Sequence, residues 1–166
     1  MSAPADDRPP VRGVEDRRRP AHGWGRLLVV VFAAFGLGKT VMQLEWCRLI
    51  HEHKGGKMLI VCPLGVKQEF MRDAVTLLRM DAPVYVRNME EVNAAPGWLM
   101  ITNYERVRDG DIRPDAFAGT SLDEAAVLRS FGSKTYQTFL NKFRGVPYKL
   151  VSTATPSPNK YKELIH

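Results

Sequence analysis

Residues 27–40 read Leu27-Leu28-Val29-Val30-Val31-Phe32-Ala33-Ala34-Phe35-Gly36-Leu37-Gly38-Lys39-Thr40, an apolar run that passes without a break into glycines, a lysine and a threonine. The apolar run predicts a buried strand, and the last eight residues fit A-x-x-G-x-G-K-T, the pattern of a phosphate-binding loop that opens a helix. Glycines let the backbone curl so that several N–H groups point at one anion, and the following helix adds the positive end of its dipole. In that arrangement Gly36, Leu37, Gly38, Lys39 and Thr40 would wrap a triphosphate. Lys39 would reach its terminal phosphates, and the Thr40 hydroxyl would ligate Mg²⁺.

Working outward, the chain is 166 residues long and 45% hydrophobic, enough for one core of ordinary size and too short for two full domains. Lys and Arg number 24 against 18 Asp and Glu, for a net charge of +6, which suits a polyanionic partner. Part of that excess lies in Arg8, Arg12, Arg17, Arg18 and Arg19. Residues 1–22 are rich in Pro, Arg and Asp and poor in large apolar groups, so a disordered basic leader is expected there, followed by one folded domain over 23–166. The arginines before an apolar stretch imitate a secretory signal. Cleavage after that stretch would destroy the glycine loop, and the stretch falls short of the ~20 residues that span a bilayer. A soluble protein is expected.

Two cysteines, Cys47 and Cys62, allow no disulfide framework and no paired-cysteine zinc motif, and a reducing cytoplasm is the natural setting. Cys47, His51 and His53 sit close in sequence but lack a fourth ligand, so ordinary packing is the expectation there.

From residue 26 onward short apolar runs alternate with helical patterns, predicting an α/β domain with a mostly parallel sheet and helices on both faces. Strands are expected at about 26–33, Lys57–Cys62, Pro83–Val86, Trp98–Thr102, a weak one ending at Asp123-Glu124, and Tyr148–Thr153. Helices are expected at about 39–53, at a segment placing Val66, Phe70, Ala74 and Leu77 on one face, and at one marked by Tyr136, Phe139, Leu140 and Phe143. The stretch after Asp109 reads as loop.

Ser121-Leu122-Asp123-Glu124 sets two adjacent carboxylates at a strand end. This is the placement of a Walker B pair, in which Asp123 serves Mg²⁺ and Glu124 polarises the attacking water. Downstream comes Thr153-Ala154-Thr155-Pro156-Ser157-Pro158-Asn159. The series A-x-x-G-x-G-K-T, D-E-A-A and T-A-T-P-x-x-N resembles the first RecA-like lobe of superfamily 2 helicases. It looks most like the Swi/Snf-type branch with its bacterial and phage members. Leu59 to Leu64 resembles motif Ia and Ile101 to Glu105 the motif Ib region.

The resemblance implies an ATP-binding P-loop lobe of a DNA helicase or double-stranded DNA translocase, with ATP and Mg²⁺ as ligands and duplex DNA as partner. It implies a catalytic pair in Lys39 and Glu124, and metal binding by Thr40 and Asp123. Coupling of nucleotide state to lobe closure would fall to Thr153, Ala154 and Thr155. A nucleic-acid track would include Pro63, Lys67, Thr102 and Tyr104.

Three departures accompany it. Ala126 stands where DEAH-type proteins carry His and DEAD-type proteins Asp. No glutamine precedes Gln43, so an adenine-reading residue is not visible. The sequence stops at His166, before the second lobe that in the family supplies an arginine finger; binding with poor turnover is therefore expected unless another chain supplies that lobe. A non-catalytic nucleotide- or DNA-binding module and a DEAD-type RNA helicase lobe are the alternatives.

Overall fold

The computed structural model describes residues 27–32, 38–123, 130 and 132–153. Six strands, β1 (Leu27–Phe32), β2 (Met58–Cys62), β3 (Val84–Tyr85), β4 (Leu99–Asn103), β5 (Gly119–Asp123) and β6 (Tyr148–Thr153), form one sheet in the order β1-β6-β5-β2-β4-β3. Every pairing is parallel, with Leu27 opposite Tyr148, Gly119 opposite Tyr148 and Met58 opposite both Leu99 and Gly119. Parallel strands need crossovers, and five helices supply them: α1 (Lys39–Lys54), α2 (Lys67–Thr76), α3 (Met89–Ala94), α4 (Tyr104–Arg108) and α5 (Ser133–Lys142).

The alternation of side chains along the strands divides the core in two. Met58, Ile60 and Cys62 of β2 face Leu44 and Cys47 of α1 and Phe70 and Ala74 of α2. Leu59 and Val61 face the opposite way, onto a cluster with Tyr104 and Val107 of α4 and Phe139, Leu140 and Phe143 at α5. All of β2, β4 and β5 is buried. Strands covered on both sides read as continuous apolar runs, which is why β2 stood out in the sequence.

The expected fold class is therefore the observed one. Most expected elements stand within one or two residues of their places. Leu77 departs from its expected helix face because α2 ends at Thr76, which leaves Leu77 62% exposed. Asp73 instead turns inward beside Phe70 and Ala74, with its carboxylate held by Arg72 at 3.0 Å. Two helices were not anticipated, α3 and α4, both a turn or two long.

β1 and β2 are consecutive in the chain but two strands apart in the sheet, because β6 and β5 lie between them. Such a reversal of strand order opens a crevice at the carboxyl ends of the strands, where ligands bind in open α/β sheets. The glycine-loop end of α1 and the last residue of β5 both lie at that edge.

Candidate nucleotide site

The site begins with the backbone of Gly38. Its φ of 72° and ψ of 21° lie in the left-handed region, and nothing occupies the space where a Cβ would stand. An L side chain would be strained there by conformation alone, so glycine is required for the turn into α1. The first intrahelical bond runs from Met42 N–H to Gly38 C=O at 3.0 Å. No side chain caps the helix, and its first turn carries no acidic residue. A helix of sixteen residues thus brings the positive end of its dipole to the crevice.

Lys39 and Asp123 meet at this point. Lys39 Nζ is 3.6 Å from Asp123 Oδ1, and both side chains are largely buried. A cation and a carboxylate share a cleft of about 500 Å³, lined also by Gly38, Thr40, Pro63 and Glu69. The Thr40 hydroxyl donates to Glu69 Oε1 at 3.1 Å, so α1 is tied to α2 across the cleft.

Behind Asp123 stands a residue that sequence reasoning passed over. Gln43 Nε2 donates to Asp123 Oδ1 at 2.7 Å, and Ser121 Oγ donates to Gln43 Oε1 at 2.7 Å. The signal was available: Gln43 lies one helical turn after Lys39, on the face that Leu44 and Cys47 turn toward the sheet. A primary amide placed among core residues needs a reason. On the other side the Tyr104 hydroxyl donates to the main-chain carbonyl of Asp123. Cys62, at the end of β2, has its thiol pushed up to about 12, by burial first and by the negative charge of Asp123 second. It is a buried, protonated neighbour of the site and not a nucleophile.

Of the residues expected here, Lys39, Thr40 and Asp123 come together, with Gly38 beneath them. Gly36, Leu37, Glu124, Ala126, Ala154 and Thr155 lie outside the described residues. Thr153, the last residue of β6, is buried at the same edge of the sheet as Asp123, which pairs with its neighbour Ser152.

The expected nucleic-acid track divides. Pro63 lines the cleft, and Lys67 Nζ sits 4.1 Å above the ring of Tyr85, an arrangement of cation on aromatic face. Tyr85 in turn donates to Asn103 Oδ1 at 3.1 Å. Thr102 and Tyr104 are buried and committed inward, Thr102 to Val86 C=O at 2.8 Å and Tyr104 to Asp123. All of β4 is buried, so Thr102 and Asn103, on opposite faces of the sheet, both spend their polar groups on protein partners. Arg87 and Arg106, exposed near Tyr85, are the cations on this edge that sequence reasoning did not select.

The other residues with metal-binding chemistry are engaged elsewhere. The His51 ring stacks on Trp98 with centroids 4.5 Å apart, and its Nδ1 lies 2.7 Å from Gly56 C=O. Burial pushes the Cys47 thiol up. Among the described residues no group of three or more His, Cys, Asp or Glu could hold a metal ion, and no helix is long and apolar enough to cross a membrane.

No protein-family model matches this sequence, and no curated protein matches it. Solved structures do. The SWI2/SNF2 ATPase core of Sulfolobus solfataricus, solved in complex with dsDNA, superposes with a TM-score of 0.60 at 18% identity over 82% of this chain and 29% of that one. The Hef helicase domain of Pyrococcus furiosus gives 0.62 at 20% identity over 86% and 33%. A hypothetical ATP-dependent RNA helicase from Sulfolobus tokodaii gives 0.58 at 21% over 85% and 45%. The chain thus spans less than half the length of these structures. At such identities the likeness concerns the fold, which is that of a RecA-like helicase lobe.

Proposed function

We propose that this lobe binds a nucleoside triphosphate with Mg²⁺, ATP in the first instance, and hydrolyses it as one half of a DNA helicase or double-stranded DNA translocase of the Swi/Snf type. The observation that carries the reading is the approach of Lys39 Nζ to Asp123 Oδ1, 3.6 Å apart at the uncapped start of α1. An ammonium, the positive end of a helix dipole and a buried carboxylate beside a hydroxyl form the set of groups that a phosphate chain and a hard divalent cation require.

In this reading the Gly38 turn and the α1 N-terminus cradle the phosphates, and Lys39 leaves Asp123 to meet them. Thr40 and Asp123 hold the metal, which neutralises charge on the phosphates when bound. Glu124, next in sequence to Asp123, is the base that orients water. Thr153, Ala154 and Thr155, at and beyond the end of β6, carry nucleotide state toward a partner lobe, in the same polypeptide or another. A reducing, cytoplasmic setting suits two buried free thiols.

Nucleic acid would run along the edge marked by Pro63, Lys67, Tyr85, Arg87 and Arg106, through phosphate contacts that are sensitive to salt and nearly blind to sequence. The sequence form of the motifs supports duplex DNA over RNA. Competition between the two duplexes for the protein tests that choice.

The experiment is phosphate release from Mg·ATP with and without duplex DNA, beside Lys39→Ala and Glu124→Gln. Turnover stimulated by DNA and lost in both variants is the expected result once a partner lobe is supplied. Turnover that survives both variants would overturn the reading.

A second reading, a module that binds nucleotide without turning it over, is favoured by one contact: the Thr40 hydroxyl, the expected metal ligand, is bonded to Glu69. Nucleotide binding with no hydrolysis under any partner would select it.

A further inference from the structure

Gln43 is 1% exposed, and both ends of its amide are used. An ionised carboxylate can only accept, whereas a serine hydroxyl can donate or accept. The arrangement Ser121 Oγ–H to Oε1 and Nε2–H to Asp123 Oδ1 is therefore the one that satisfies all three groups. The flipped amide would set oxygen against oxygen at Asp123. Asp123 thus fixes the sense in which Gln43 presents itself, and Ser121 anchors the amide oxygen from behind.

Asp123 Oδ1 is shared between the Gln43 amide at 2.7 Å and the Lys39 ammonium at 3.6 Å. These partners differ in what they do when phosphates arrive. Lys39 is drawn away by the new anion, while Gln43 is neutral, buried and anchored from behind. We infer that Gln43 is a positioning residue. It holds the Asp123 carboxylate in the orientation a divalent cation needs and ties α1 to β5, so that Lys39, Thr40 and Asp123 keep their spacing as Lys39 changes partners. The inference rests on the nucleotide and metal reading above, which did not assign Gln43.

The pair Gln43→Met and Ser121→Ala tests it. Methionine keeps the length and volume of the side chain and removes both hydrogen bonds; Ser121→Ala leaves the amide in place without the donor that anchors its oxygen. Both variants are first checked for folding by circular dichroism melts. Affinity for a fluorescent ATP analogue is then measured by anisotropy, with Mg²⁺ and with EDTA. Partners behind a metal ligand typically contribute about 10- to 100-fold to metal affinity. Gln43→Met is expected to lose about that much of the Mg²⁺-dependent gain while its affinity in EDTA stays within about 3-fold of the parent. Ser121→Ala is expected to fall between the two, and it decides alone if Gln43→Met does not fold.

If the parent gains affinity from Mg²⁺ and the variants gain as much, the inference is wrong and the nucleotide reading stands. Equal losses with Mg²⁺ and with EDTA would reduce Gln43 to a packing role and also overturn it. If the parent binds no nucleotide in either buffer, the site reading itself fails and the inference falls with it.

Discussion

The hydroxyl of Tyr104 donates to the main-chain carbonyl of Asp123, joining the first residue of α4 to the last residue of β5. Tyr104 is buried against Phe139, with ring centroids 5.6 Å apart, so replacing it by Phe keeps the packing and removes a single donor. A buried acceptor that loses its partner costs about 1–3 kcal/mol. Tyr104→Phe is expected to lower unfolding stability by about 1–2 kcal/mol in urea titrations, with an unchanged m-value. No loss would mean that the carbonyl finds another donor.

Thr40 and Glu69 give a prediction of opposite sign. Their hydrogen bond spends the proton of the hydroxyl proposed to meet Mg²⁺, leaving its lone pairs for the cation. It also holds the side chain toward Glu69, so that any turn of Thr40 toward the metal costs that bond. Glu69→Ala removes the competitor. A net hydrogen bond is worth about 0.5–1.5 kcal/mol, so Mg·ATP should bind roughly 2- to 10-fold more tightly, measured by titration calorimetry. Weaker binding would instead make Glu69 an ally of the cation.

The proposed nucleic-acid edge separates into outward and inward residues. Lys67→Ala is expected to weaken duplex DNA binding alike for all sequences and to reduce the slope of log K against log salt by about 1. Thr102→Val, although close in the chain to the same edge, should leave DNA affinity unchanged and lower stability, because its hydroxyl is committed to Val86 C=O. Salt titrations of fluorescent duplex binding check both.

Alkaline stability follows from the two buried thiols. Both Cys47 and Cys62 are raised above the ordinary value of 9.0, Cys62 to about 12. Above about pH 9 the unfolded chain releases these protons and the native one keeps them, so the unfolded state binds fewer protons and native stability falls as pH rises. The contribution is fully present below pH 9 and is lost toward pH 12, with a slope approaching about 1.4 kcal/mol per pH unit for each thiol. Urea unfolding between about pH 8 and about pH 10.5 should show this decline, and Cys62→Ala should make it shallower.

What the residues announced and what they hid follow from the same physics. β2 declared itself because it is covered on both faces and apolar throughout. β5, Gly-Thr-Ser-Leu-Asp, looked weak because its inward positions are polar. Ser121 there bonds to Gln43, a partner far away in sequence, and no local pattern reveals that.

Helix α3 was missed for its six residues, yet its start was marked: Asn88 accepts from Glu91 N–H, and the Glu91 carboxylate accepts from Arg87 N–H. The glycine loop and Asp123 could be placed at one site from spacing alone. Glu69 and Tyr85 could not, since each takes its position through contacts made across the sheet or between helices.

The position of β1 bears on how the molecule comes into being. Among the described strands β1 has a single neighbour, β6, whose residues follow it by roughly 120 positions, a separation that makes loop closure entropically costly. During synthesis on the ribosome β1 emerges first and must wait until Thr153 has left the exit tunnel before it can join a sheet. Strands β2, β4 and β3, at the other side of the sheet, can pair well before that. Of the described strands β1 is thus made first and is among the last to be paired. A nascent chain acquires much of its apolar interior before the proposed nucleotide site can be completed.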